Sequence, residues 1–220
     1  MQTDRFEFPT SKGPTAAWFA APDGWSSGPA VVVVQEWWGL NDNIESITRR
    51  LAEEGFAALA PDLYYGKQAT EPDDAEKLMM ALDEGLALEN LRAAVGWLID
   101  RGASAVGATG FCMGGGLVWE LAFTEDRVGA AVPFYGWSEP KARKLLAPVQ
   151  AHFAGVDDYP WDELAEARSA VASRAWSEFH WYEFSHHAFM NDTRPAFDAD
   201  AAALAWHRMV GFFHERLVMS

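Results

Sequence analysis

The chain of 220 residues has one cysteine, few cations and no long apolar run. One cysteine cannot close an internal disulfide, nor supply the several thiolates of a cysteine-based zinc site. If Cys112 has a role, it acts alone as a thiol. Only 17 Lys+Arg stand against 32 Asp+Glu, a formal net charge of −15 at pH 7. Nucleic acids and anionic membranes need basic patches, so neither is expected as a partner. No stretch approaches the ~18 uninterrupted apolar residues of a membrane span. Residues 1–8 lack the cationic start and apolar run of a secretory leader. With no disulfide to lose, the expected location is the reducing cytoplasm. Half of the residues are hydrophobic, which supplies a sizeable core and excludes global disorder. The length suits a single domain over 1–220. The 11 tryptophans are many for this length and point to large rigid surfaces lining a core or a pocket.

Short β-rich runs alternate with helical stretches, without repeats. Residues 4–9 and 14–20 form an opening strand pair. The run Val31-Val32-Val33-Val34-Gln35 marks a strand buried on both faces. Asn41 and Asp42 can cap a helix over about 43–54, which Gly55 ends. Further strands are expected over 56–60, 104–109, 128–134, 149–154 and 177–184. Helices are expected near 73–83, 87–100, 113–123, 139–146, 161–174 and 197–217, the last with an apolar stripe of Ala201, Leu204, Ala205, Met209, Phe212 and Phe213. This alternation predicts an α/β fold with a mostly parallel central sheet covered by helices on both faces. Its ligand chemistry belongs in the loops beyond the C-terminal ends of the strands.

The sharpest local signal joins the strand at 104–109 to the helix from 113. Gly110-Phe111-Cys112-Met113-Gly114 has the form G-x-C-x-G, the thiol version of a nucleophile elbow. The glycines two before and two after leave room for neighbouring backbone in a strained turn. The turn sets Cys112 at a helix N-terminus, where positive potential favours a thiolate. The N–H of Met113 would point at a developing oxyanion. A nucleotide loop fits less well: the spacing is not G-x-G-x-x-G, and no Lys-Ser/Thr follows.

An elbow nucleophile expects an acid and then a histidine later in the chain. Asp157 and Asp158 follow the strand at 149–154, and His186 and His187 follow the strand at 177–184. Either aspartate could orient either histidine, although adjacent aspartates also cap following helices. His152 and His180 lie within strands, and His207 and His214 on the last helix; these four read as structural or surface residues. No cluster has a metal-ligand spacing, so no metal or cofactor is expected. Glu36 ends an apolar strand and precedes Trp37-Trp38-Gly39. A carboxylate there is desolvated, and its pKa is expected to rise. The N–H of Trp37 occupies the loop from which this fold draws its second oxyanion donor.

These residues together resemble the dienelactone hydrolase (carboxymethylenebutenolidase) family of α/β-hydrolases. The matching segments are Gln35-Glu36-Trp37-Trp38-Gly39-Leu40-Asn41, Pro61-Asp62-Leu63-Tyr64, Gly110-Phe111-Cys112-Met113-Gly114-Gly115, His152-Phe153 with Asp157, and His180-Trp181-Tyr182-Glu183 leading to His187-Ala188-Phe189. The resemblance covers nearly the whole chain from about 14 onward, and it selects Asp157 and His187. It implies Cys112 as nucleophile, His187 as general base and acid, Asp157 as the orienting carboxylate, and Glu36 as a carboxylate that contacts the resting thiol and helps deprotonate it. The implied reaction is attack on a lactone or activated ester through a thioester. Two departures concern substrate binding. Where the family has arginines for a substrate carboxylate, this chain has Lys67 after the Asp-Leu-Tyr segment and Asn191 four positions after the histidine; Arg194 could substitute, and Trp38 narrows the pocket. The alternatives are a broad esterase or thioesterase for aromatic substrates, and a non-catalytic small-ligand binder of the same fold.

Overall fold

In the computed structural model, residues 1–138 and 143–218 are described. The elements, in chain order, are β1 (Gln2–Phe8), β2 (Thr15–Ala21), β3 (Gly28–Val34), α1 (Asp42–Glu53), β4 (Ala57–Pro61), α2 (Pro72–Met80), α3 (Glu84–Asp100), β5 (Ala103–Phe111), α4 (Met113–Thr124), β6 (Val128–Phe134), β7 (Gln150–Val156), α5 (Trp161–Ser173), β8 (Glu178–His186) and α6 (Ala199–Phe213), which continues into a π-helical turn, His214–Val218. The eight strands form one sheet in the order β1-β2-β4-β3-β5-β6-β7-β8. The β1/β2 and β2/β4 joins are antiparallel and the rest are parallel. This is the mostly parallel α/β sheet that the alternating pattern predicts, in the α/β-hydrolase form that the family resemblance implies.

The central strand shows why the helices divide. Val31 to Val34 are fully buried, and alternate residues face opposite layers. Val32 and Val34 belong to the cluster that receives Leu91 and Val95 of α3, Val118 of α4 and Leu164 of α5. Val31 and Val33 face Ile44, Ile47 and Leu51 of α1 and Met209 and Phe213 of α6. Helix starts follow their caps. Asn41, Asp83 and Asp198 accept hydrogen bonds from the N–H groups of Ile44, Leu86 and Ala201.

Three expectations change. The short helix near 139–146 falls partly on residues 139–142, outside the described residues, and 143–146 carry no helix. The last helix begins at Ala199, where Asp198 caps it, so Phe197 stands outside. In its apolar stripe Leu204 is 45% exposed, while Ala202 and Trp206 are buried instead. The cause is rotational. Ala202, Ala205, Trp206 and Met209 recur at helical spacing and share the face packed on the core, and Leu204 falls on the side away from Ala202 and Trp206.

Candidate active site

Five residues stand beyond the C-terminal ends of five parallel strands. Cys112 follows β5 directly, Tyr135 follows β6, Asp157 follows β7 and His187 follows β8, while Glu36 comes one residue later, after β3 and Gln35. The register brings these ends side by side: Val34 pairs with Gly110, Phe111 with Phe134, Phe134 with His152, and Val156 with His186. The sheet therefore gathers these residues, distant in sequence, into one cluster.

Cys112 sits at the N-cap of α4 with φ 56° and ψ −119°, a backbone conformation that side chains rarely adopt. Its N–H donates to the Phe134 carbonyl at 3.0 Å. The surrounding glycines are needed for closeness. A Cβ on Gly114 would lie 2.4 Å from the Gln35 oxygen, one on Gly110 2.4 Å from the Gly114 oxygen, and one on Gly136 2.1 Å from the Cys112 oxygen. Left-handed non-glycine residues recur here: Tyr135 has φ 36° and Ala188 φ 66°. Each costs on the order of 1–3 kcal/mol, which surrounding packing must offset.

His187 Nδ1 lies 2.6 Å from Asp157 Oδ2, and His187 lines one cavity with Cys112. Burial opposes the charged imidazole, but the hydrogen bond to Asp157 and the attraction of Cys112 outweigh it and push its pKa up to about 10. Burial likewise opposes the Asp157 carboxylate, yet bonding to His187 holds its pKa below the usual value. Asp158 is exposed and gives only its N–H to Asp157 Oδ1, at 2.9 Å. Neither aspartate caps α5, whose N-cap is Pro160. His186 is exposed.

Glu36 is 2% exposed. The Tyr135 hydroxyl donates to its Oε1 at 3.1 Å, and Asn191 Nδ2 donates to its Oε2 at 2.6 Å. Burial raises its pKa above the usual carboxylate value, against the lowering effect of these two bonds. The amide of Asn191 is oriented from behind, since its Oδ1 accepts from the N–H of Thr193 at 3.1 Å and from Thr193 Oγ1 at 2.7 Å. Asn191 N–H also closes the turn after the histidine by donating to the Ala188 carbonyl at 2.9 Å.

A cavity of about 570 Å³ opens on this cluster, lined among others by Glu36, Trp37, Trp38, Cys112, His187 and Arg194. The Arg194 guanidinium lies over Trp38, 3.4 Å from the ring centroid. Its Nη1 donates to the Thr70 carbonyl at 3.4 Å, while its buried Nε has no partner among the described residues. Met113 opens α4, so its N–H is one of the donors that a helix start leaves free. Gly39 N–H donates to the Glu36 carbonyl at 3.2 Å, folding Trp37 and Trp38 into a tight turn.

Two of the residues expected to bind substrate stand elsewhere. Lys67 is exposed and lines a different depression, with Lys12 and Leu86. The reason is the preceding turn: Asp62 accepts from the N–H groups of Tyr64 at 2.8 Å and Gly66 at 2.6 Å, and this curl carries Lys67 out of the cavity. Asn191 is 1% exposed and spends its amide on Glu36. Tyr135 is the residue that motif reading misses. Its signal is positional, since it too follows a strand end directly.

Over residues 15–217 the chain matches the dienelactone hydrolase family. It is 36% identical over 211 residues to Protein usf of Aquifex pyrophilus, covering 86% of this chain and 89% of that protein. It is 32% identical over 227 residues to a Saccharolobus solfataricus protein named "Putative carboxymethylenebutenolidase", covering 83% and 88%. Among solved structures, a dienelactone hydrolase-like promiscuous phosphotriesterase from metagenomic libraries superposes with a TM-score of 0.87 at 25% identity, over 98% of both chains. With the strand-end cluster in place on an α/β-hydrolase sheet, the chain belongs to the dienelactone hydrolase family, as a carboxymethylenebutenolidase-like carboxylic ester hydrolase.

Proposed function

We propose that the protein opens a lactone or activated ester with Cys112 as nucleophile, His187 as general base and acid, and Asp157 as the carboxylate that orients the imidazole. The observation that carries this is one cavity wall holding Cys112, His187 and Asp157, with His187 hydrogen-bonded to Asp157 and Cys112 set beside the free N–H groups of a helix start. Asp157 occupies Nδ1, which leaves Nε2 for the thiol. Glu36 takes the thiol proton as sulfur attacks the carbonyl carbon, beside a His187 that its pairing with Asp157 keeps as the imidazolium. The N–H groups of Met113 and Trp37 receive the oxyanion. The carbon–oxygen bond to the leaving enol breaks as the imidazolium gives the leaving oxygen its proton. The neutral imidazole then takes a proton from the water that cleaves the thioester, and Glu36 returns its proton to the departing Cys112 sulfur.

Glu36 is the carboxylate that draws the proton from the resting thiol when substrate arrives. Tyr135 and Asn191 are positioning residues that hold it. Arg194 is the cation in the cavity that meets a substrate carboxylate, with Trp38 as the plane behind it. This role fits a guanidinium whose Nε is buried without a partner among the described residues.

The test uses 4-nitrophenyl acetate and a dienelactone with the wild type and Cys112→Ala. The expected result is loss of both activities in the variant. Intact-protein mass spectrometry of acid-quenched wild type should show one acyl adduct that iodoacetamide pretreatment prevents. Hydrolysis that survives Cys112→Ala unchanged would overturn the thiol mechanism.

A further inference from the structure

A second cavity, of about 360 Å³, reaches Cys112 from between α2 and α4. Among the described residues, it shares only Cys112 and Met79 with the cavity that contains Arg194. Its walls include Met80, Leu82, Leu117 and Trp137, and Glu84 and Glu120 add acid to it. Glu120 is paired with Arg143 at 2.7 Å, and Glu84 is exposed. The thiol thus stands at the junction of two rooms of different chemistry. One is cationic and aromatic, and the other is methionine- and leucine-lined with carboxylates.

The stereochemistry of acyl transfer assigns them. A carbonyl carbon bonded to Cys112 sulfur carries three other substituents: the oxyanion, the leaving oxygen and the acyl chain. The oxyanion goes to the backbone N–H groups at the start of α4. The leaving oxygen must be within reach of His187 to take its proton, and His187 lines the Arg194 cavity and not the second one. The acyl chain is left with the second cavity.

Resting on the reading of Cys112 as the nucleophile, we propose that the cavity between α2 and α4 is an acyl-chain site, and that the enzyme accepts open-chain esters with an uncharged apolar acyl arm of medium length. A small lactone ties its acyl and leaving arms into one ring and leaves this site empty. Flexible thioether walls adapt to chains of differing shape. The volume lies in the range of ligand sites. No Lys or Arg is among its described lining residues, so an acyl arm that ends in a carboxylate would lose hydration there without gaining a cationic partner.

The experiment compares kcat/KM for 4-nitrophenyl acetate, butyrate, octanoate and hemisuccinate in the wild type, Leu82→Trp and Met80→Trp. Leu82 is half-buried just past the end of α2 and Met80 is 79% exposed, so the second variant keeps the test readable if the first does not fold. In the wild type, kcat/KM should rise about tenfold from acetate to octanoate, and hemisuccinate should fall about tenfold below butyrate. Filling the cavity should cut octanoate about tenfold while acetate changes less than about twofold. A flat dependence on acyl length in the wild type, or an unchanged octanoate-to-acetate ratio in the folded variants, would overturn the acyl site. Acetate hydrolysis that persists in Cys112→Ala would instead remove the mechanism on which it rests.

Discussion

Two carboxylates line the cavity that holds Cys112 and are treated in opposite ways. Asp157, at the end of β7, faces an imidazole with which it forms a short hydrogen bond, and its pKa is lowered. Glu36, beyond the end of β3, faces a phenol and an amide, is closed off from water, and its pKa is raised. In the proposed mechanism the same functional group is a fixed anion on one side and a proton carrier on the other. The difference is one of depth and of partners: Glu36 is 2% exposed and its neutral donors only partly replace the water that burial removes, while Asp157, whose side chain is 15% exposed, has an imidazole that stabilises the anion.

The largest effect should come from Asp157→Asn. It keeps the shape but loses the anion, and its amide can hold the wrong tautomer of His187. Turnover of 4-nitrophenyl acetate should drop about 10⁴-fold with little change in KM. Glu36→Gln should cut kcat about 10²-fold, again with KM nearly constant. Unchanged turnover would deny Glu36 a part in activating the thiol. A glutamine there can still accept from Asn191 Nδ2 with its carbonyl oxygen, leaving its amide NH2 to face the Tyr135 hydroxyl. Tyr135→Phe removes one of the two donors to Glu36 and should lower kcat about threefold, with the pH–rate profile displaced toward higher pH on its Glu36 limb.

The smallest effect concerns stability. An imidazole raised from 6.5 to about 10 is protonated in both folded and unfolded chains below pH 6.5. Between those values only the folded chain keeps the proton, so the contribution of the His187–Asp157 pair declines as pH rises through that interval. The Tm advantage of wild type over His187→Gln should be fully present at pH 6 and shrink toward pH 10. An advantage that grows with pH would contradict the raised imidazole.

The elbow glycines, the valine strand and the capping residue Asn41 are local devices, and their structural outcome is legible from neighbouring residues alone. The family resemblance singles out Asp157 and His187 from their neighbours, and the structure brings those two together. What local reading lacks is long-range closure. Tyr135 and Glu36 are 99 residues apart in sequence and meet only because β3, β5 and β6 are neighbours in the sheet. Asn191 sits where the family pattern has an arginine, which points it toward substrate. Its burial and its bond to Glu36 depend on the turn that Ala188 begins at positive φ, which no spacing rule reveals. Lys67 is displaced by a turn whose closing bonds come from Asp62, a residue five positions earlier.

The join between β6 and β7 is narrow. Phe134 pairs with His152 there, with an isolated bridge from Ala131 to Val149, whereas β7 and β8 pair from Gln150 to Val156. Rings seal the seam, with Phe134 stacked on His152 at 4.4 Å between centroids. Cys112 and Glu36 stand on one bank, and Asp157, His187 and Asn191 on the other. So narrow a join predicts that β7, α5 and β8 open ahead of the valine strand. In a urea series, amide hydrogens of β7 and β8 should exchange before those of β3 and β5, and hydrolysis should fail at a lower concentration than the far-ultraviolet signal. Enzyme life in the cell would then be set by the seam, and a substrate that bridges both banks would act as its own stabiliser.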